Sequence, residues 1–253
     1  MKAGNLAGKK FVVLDRPNPT NGRQVSGPML DPGSESFVGF HSLPVQHGMT
    51  IGELAEMFKA ELSLEELDLR VIPCTGWQRD QYFDDTGLPW INPSPNMRNL
   101  NEAILYPSIG LWETTNISVG RGTDTPFERL GAPWVSAREL ADLLNNADLE
   151  GVRFTPISFT PTSNKFANEK CEGVQISITD RDEFRSIELG VTLACSLWQL
   201  YPQHWEIGKS SRLLCSQKTL DQIKAGESPQ RILTEMQKDL APFLSRRSKF
   251  LKY

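Results

Sequence analysis

The chain has 253 residues, 27 Lys and Arg against 31 Asp and Glu, a formal charge of −4 at pH 7, three His and four Cys. A chain of this length buries a substantial core as one large or two small domains. With Arg246-Arg247-Ser248-Lys249 as its basic cluster it carries no electrostatic footprint for nucleic acid. Its longest apolar run, Ile187 to Tyr201, is too short to span a bilayer and contains Glu188 and Gln199, so no transmembrane segment is expected.

In chain order, Met1 to Gly8 lacks the apolar stretch of a signal peptide. Phe11–Leu14 reads as a strand. Continuous apolar strands belong in parallel sheets covered on both faces, so this one needs neighbours: it is the first strand of a domain, or the chain begins in the middle of one. Asp15 to Gly22 is a loop stiffened by Pro17 and Pro19. Val25 to Gly33 reads as irregular and Ser36 to Phe40 as a short strand. Met49 to Leu62 has helical periodicity, with Ile51, Leu54, Ala55, Phe58 and Leu62 on one face. Thr50 and Glu53 form a capping-box pair at its start. Leu67 to Pro73 reads as a strand parallel to the first, which puts the following loop at a carboxyl end, where α/β sheets bind ligands. That loop, 76–97, is long and Pro-rich. Trp77 and Trp90 either stack on a ligand or pack a wall.

Ala103 to Trp112 is a buried helix or strand. The segment after it, Glu113-Thr114-Thr115-Asn116-Ile117-Ser118-Val119-Gly120-Arg121-Gly122-Thr123, is the densest polar loop of the chain. Two glycines around Arg121 let the backbone turn tightly. A site that grips a sugar needs this mixture of donors and acceptors; a solvated turn is the competing reading. Further on, Ala132-Pro133-Trp134 reads as a hinge and Ser136 as the cap of a helix through Asn145. Val152–Phe159 and Val174–Thr179 read as strands joined by a turn-rich excursion, 160–172. Phe184 to Leu200, Ser216 to Lys224 and Pro229 to Phe243 read as helices, and the basic cluster as a last helical turn suited to the helix dipole.

Several chemistries are missing. Gly120-Arg121-Gly122 lacks the third glycine of a dinucleotide fingerprint, and no P-loop occurs. His41, His47 and His204 are scattered, and Cys74, Cys171, Cys195 and Cys215 have no metal-ligand spacing, so no metal and no cofactor is expected. An even cysteine count permits disulfides without arguing for them. No Gly-x-Ser-x-Gly elbow supplies a nucleophile. Carboxylates remain, and glycoside hydrolysis uses a pair of them. Of Asp15, Glu113 and Asp124, Glu113 is best placed, at the end of an apolar segment where partial burial favours its protonated form.

Asp15-Arg16-Pro17-Asn18-Pro19 with Gly22, Thr86-Gly87-Leu88-Pro89-Trp90 with Pro93-Ser94-Pro95-Asn96-Met97, and Thr115-Asn116 with Gly120-Arg121-Gly122-Thr123 resemble the signature of the DUF1343 family. The resemblance runs from about Lys9 almost to the end of the chain. Two loop positions depart from the family pattern: Thr114 stands for a Gly and Val119 for a Glu. The resemblance implies an exo-β-N-acetylmuramidase of the NamZ type, a glycosidase of peptidoglycan and cell-wall recycling that removes N-acetylmuramic acid from non-reducing ends. It also implies a secreted or periplasmic location. The family's upstream Glu-His-Gly segment, which bears its proposed catalytic acid, has no counterpart here. The chain thus reads as N-terminally truncated relative to the family, or as a carbohydrate-binding fragment that does not cut.

The expected architecture is α/β in two parts: a partial Rossmann-like parallel sheet over residues 1–130 and a smaller C-terminal α/β domain over 131–253. Glu113 is the expected catalytic residue. Asp15, Arg16, Asn18, Trp90, Asn96, Asn116, Arg121 and Thr123 are the expected contacts to peptidoglycan-derived sugars, with Arg121 paired to the lactyl carboxylate. An exposed sheet edge is expected to favour self-association.

Overall fold

Helix α1 (Lys2–Leu6) leads into strand β1 (Lys10–Leu14), then β2 (Ser26–Met29), β3 (Pro44–Gln46), α2 (Ile51–Glu61) and β4 (Asp68–Ile72). After a long irregular stretch come α3 (Leu100–Ile109), β5 (Arg129–Ala132), α4 (Ala137–Asn145), β6 (Val152–Phe159) and β7 (Cys171–Ile178). The chain ends in helices α5 (Ser186–Leu200), α6 (Ser211–Leu214), α7 (Gln217–Lys224), α8 (Pro229–Asp239) and α9 (Ala241–Arg247). The computed structural model describes all residues, 1–253. They form two compact units: Met1–Val25 with His47–Trp90 and Leu240–Tyr253, and Ser26–Gln46 with Ile91–Asp239. The architecture is mixed α/β, as the strand and helix patterns imply.

In the first unit, β1 and β4 pair in parallel, Lys10 opposite Asp68 through Leu14 opposite Ile72. The expectation of cover on both faces does not hold. Helix α2 packs on one face, while Val12 and Leu14, 49% and 71% exposed, share the other with Ile72. Helix α2 starts where its capping box predicts. The Thr50 hydroxyl accepts from Glu53 N–H, and the Glu53 carboxylate accepts from Thr50 N–H.

Glu53 has a second set of partners. Its fully buried carboxylate pairs with Arg79 and accepts the backbone N–H of Lys252 at 2.8 Å. Arg79 also donates to Gly48 O and Tyr253 O. Arg247 lies beside them, 8% exposed, its guanidinium donating to the carbonyls of Gly22, His47 and Gly48. The basic cluster does end a helix, but this arginine binds carbonyl groups far off in sequence.

His47 belongs to the same cluster and accepts from Met49 N–H through Nδ1. Burial first, and the Arg247 cation second, lower its pKa from 6.5 to about 4. Between those values the unfolded chain takes up a proton that the folded one refuses, so stability falls as pH drops from 6.5 through 4. The expected loss between pH 7 and 4 is on the order of 3 kcal/mol. Urea midpoints across that range should show the step, and His47→Asn should flatten it.

The second unit holds an antiparallel sheet in the order β5-β7-β6. Gly131 and Gly173 face each other across β5 and β7, and a Cβ on Gly173 would lie 2.0 Å from Leu130 O. Helix α5, with Leu189, Leu193 and Leu197 fully buried, packs on α3, and Gly190 lets it approach Ser108. The stretch 103–112 is helical: α3, N-capped by Asn99 on Glu102 N–H, tightens into a 3₁₀ turn over Gly110–Trp112. Ser136 flanks α4 without a side-chain cap bond.

Three local expectations fail. Ser36 to Phe40 is a bend in which Ser36 Oγ accepts from Val38 and Gly39 N–H, with Phe37 99% exposed. The strand lies instead within 25–33, as β2 paired antiparallel to β3. Gly27 and Pro28 disguise it: the pair is bulged, Gly27 has φ 99°, and a proline is tolerated at such a place. Pro229 to Phe243 is two helices, because Pro242 has no N–H for the carbonyl four residues back.

Candidate functional site

The polar loop at 113–123 is built from its buried ends outward. Trp112 is fully buried and meets the edge of Trp205, ring centroids 5.6 Å apart. The hydroxyl of Thr115 donates to Trp112 O and accepts from Trp205 Nε1–H. Asn116 Nδ2 donates to His204 O and its Oδ1 accepts from Glu206 N–H, each at 2.7 Å. Ile117 and Val119 point into the core, and Ser118 bridges Gly131 through two backbone bonds. Gly120 and Gly122 then take φ values of 79° and 83°, which a Cβ disfavours.

Between those glycines, Arg121 folds back over the Phe127 ring, 5.1 Å from its centre. Its Nε and Nη2 donate to Glu113 Oε2 at 3.0 and 2.8 Å. Lys165 completes the group by donating to the Glu113 backbone carbonyl. Its pKa is lowered, chiefly by burial, with Glu113 opposing. Tyr106, packed edge-on against Phe127, has its pKa raised by burial and then by the Glu113 charge. Glu113, Arg121 and Lys165 line a cavity of about 200 Å³ shared with Thr114, Ser118 and Asn164. Glu113 and Arg121 are 21% and 28% exposed, buried enough to be oriented and open enough to meet a ligand.

The first unit has a larger cavity of about 400 Å³ at the carboxyl ends of β1 and β4, lined among others by Asp15, Arg16, Cys74, Trp77, Gln81 and Thr86. Asp15 accepts Arg16 N–H and Gly52 N–H on Oδ1, and the hydroxyls of Thr50 and Tyr253 on Oδ2. A Cβ at Gly52 would lie 2.5 Å from the Asp15 carboxylate, so glycine there lets this anion reach the amino end of α2. The Cys74 thiol faces the same cavity with its pKa raised, chiefly by burial. All four cysteines are free thiols. No cluster of three or more His, Cys, Asp or Glu is arranged to hold a metal ion, and no helix is long and apolar enough to cross a membrane.

Comparison with known proteins gives the chain a family. Residues 1–101 match the model of exo-beta-N-acetylmuramidase NamZ, N-terminal, and residues 104–253 match that of its C-terminal part. The chain belongs to the NamZ family. It is similar over its full length to the peptidoglycan beta-N-acetylmuramidase NamZ of Bacillus subtilis (strain 168), 43% identical over 256 residues. The match covers 62% of that protein, so the chain spans about three-fifths of the length of this NamZ relative. Two solved DUF1343 family proteins of Bacteroides fragilis NCTC 9343 superpose on all of it. One has a TM-score of 0.91 at 30% identity and is 68% covered; the other has 0.80 at 31% and is 69% covered.

Within this NamZ-family chain the structure brings Glu113 and Arg121 together at one cavity, and Asp15 and Arg16 at the other. The Asn18 carboxamide is engaged internally, donating to Met49 O and accepting from Thr20. Asn116 is likewise bound to backbone on both its atoms. The Thr123 hydroxyl donates to Gly120 O and shapes the turn. Trp90 stands edge-on to Phe83 in the first unit, ring centroids 5.2 Å apart; Asn96, in the second, has its N–H on Ser94 Oγ. Thr114, which stands for a family glycine, has an ordinary negative φ and ties the loop to Lys209 O at 2.7 Å. Lys165 and Tyr253 belong to these two sites without standing in any of the sequence motifs. The signal for Lys165 was faint: Asn164 and Asn168, residues tolerant of left-handed backbone, flank it in a turn-rich stretch.

Proposed function

We propose that this chain serves a peptidoglycan-sugar glycoside hydrolase acting as an exo-β-N-acetylmuramidase, which releases terminal N-acetylmuramic acid from non-reducing ends. The observation that supports it most is the Glu113–Arg121 pair at the mouth of a hydroxyl-rimmed cavity, in a chain of the NamZ family. Arg121 uses Nε and Nη2 on Glu113, which leaves Nη1 for an anionic group of the sugar. Glu113 Oε1 remains to accept a sugar hydroxyl or a proton in the chemical step. Arg16, exposed at the other cavity with no side-chain partner, is a second sugar contact in this reading, with Asp15 held rigid beside it. Asn18, Asn116 and Thr123 support the loops that carry these groups, and Trp90 and Asn96 offer ring face and amide to the same ligand class.

Incubation of the protein with a chromogenic β-N-acetylmuramide tests the reading. The expected result is release of the chromophore, with the matching β-N-acetylglucosaminide a poorer substrate. Calorimetric binding of N-acetylmuramic acid with no turnover would make the chain a sugar-binding fragment, and absence of both would end the muramic-acid reading.

We also propose that the open side of β1 and β4 drives self-association. Val12, Leu14 and Ile72 make an apolar strip there, and the outer edges of this two-stranded sheet have no strand partner. Sedimentation should show a concentration-dependent dimer that Leu14→Lys disperses; a monomer at every concentration is the contrary result.

A further inference from the structure

The cavity at the polar loop holds more positive charge than its carboxylate can balance. Arg121 and Glu113 form a pair, and Lys165 is a further cation facing the same space. Lys165 Nζ donates to one acceptor, the Glu113 carbonyl, so two of its three N–H groups remain for a ligand. How this lysine is delivered bears on its role. Thr162 donates both its N–H and its hydroxyl to Gly122 O, at 2.8 and 2.9 Å, and so fastens the 160–172 excursion to the polar loop. A Cβ on Gly122 would lie 2.4 Å from Ser163 O, so the two backbones meet at a distance only glycine allows.

Lys165 then sits between two residues in left-handed backbone, Asn164 at φ 67° and Phe166 at φ 56°. That conformation is unfavourable for a bulky side chain such as Phe. Strain of this kind persists where the surrounding structure over-determines it, and it clusters at ligand clamps. The cavity, about 200 Å³, is smaller than the roughly 300–1,000 Å³ of a pocket for a whole drug-sized ligand. It suits one acidic arm of a sugar ring.

We infer that Lys165, beside Arg121, is a specificity-determining residue by which this cavity selects sugars that carry a carboxylate substituent over their neutral counterparts. The inference rests on the muramic-acid reading above and adds a second cation to it. Arg121 supplies a directed N–H pointing from the loop, and Lys165 a compact ammonium on the opposing segment. A carboxylate has an oxygen for each, whereas a neutral amide offers one acceptor and turns a donor toward a cation.

The test is calorimetric titration of the full chain with N-acetylmuramic acid, its lactyl carboxamide and N-acetylglucosamine, with Lys165→Met and Lys165→Arg beside the natural protein. The acid should bind at least about tenfold more tightly than either neutral sugar, in line with one charge-assisted hydrogen bond at a half-buried site. Lys165→Met should weaken the acid about tenfold and leave the neutral sugars unchanged, while Lys165→Arg keeps most of the preference. Equal binding of acid and carboxamide by the natural protein would overturn the inference and leave the sugar reading standing. Equal loss of all three ligands in Lys165→Met would also overturn it, by making the lysine a structural prop. Failure of all three to bind the natural protein would sink the muramic-acid reading, and this inference with it.

Discussion

Glu53→Ala should lower the free energy of unfolding by about 3–5 kcal/mol, the range for removing one partner of a buried ion pair. Glu53 is fully buried, and one carboxylate serves the Arg79 guanidinium, the Thr50 N–H and the Lys252 N–H. Alanine leaves all three donors without that acceptor, and it strips the counter-charge from a cluster that also holds Arg247. The size comes from the stranded cation more than from the lost attraction, and this makes a second prediction inside the first. Replacing both Glu53 and Arg79 by Met should cost less than Glu53→Ala alone. Glu56, paired with Lys252 where water reaches both, should cost no more than about 1 kcal/mol when changed to Ala. Urea unfolding of these variants is the measurement. A Glu53→Ala loss no larger than that of Glu56→Ala would show that the cluster does not hold the first unit together.

Glu113→Gln and Arg121→Ala should have the largest effects on the sugar chemistry. Glutamine keeps the shape of the side chain and removes its charge, so the guanidinium loses its ionic partner while the loop stays in place. If Glu113 moves or steers a proton in the reaction, release from the chromogenic muramide should fall by about 10²–10⁴-fold. Arg121→Ala removes the cation aimed from the loop and should weaken N-acetylmuramic acid by about 10–100-fold, the worth of a hydrogen bond between charged groups. Arg121→Lys should restore only part of this, because an ammonium cannot both bridge Glu113 through two nitrogens and present a third. Both variants should melt near the natural protein, since the pair is partly open to water. Full turnover in a folded Glu113→Gln protein would remove Glu113 from the chemistry.

Legibility in the sequence followed the range of the interactions. Thr50 and Glu53 announce α2 because a capping box is complete within four residues, and the runs that became β1 and β4 announce a parallel pair. The loop at 113–123 stands out as chemistry because its charges and glycines are contiguous. What those groups touch is another matter. Asn116 offers a carboxamide on paper, yet its partners are backbone atoms 88 and 90 residues away. Lys165 reaches Glu113 across 52 residues, by a turn whose shape depends on what it packs against. Arg247 looks like a solvated helix-end cation, and only the fold reveals the carbonyl groups waiting for it. Composition and periodicity carry no record of such distant partners.

Gly22, His47 and Gly48 leave the ribosome long before the arginine that gathers their carbonyls, 200 residues after His47. At about 5–20 residues per second, that interval is roughly 10–40 s of translation. For that time Glu53 already has Arg79, but the carbonyls of Gly22, His47 and Gly48 wait for the Arg247 guanidinium, so the first unit completes this cluster only once α9 has emerged.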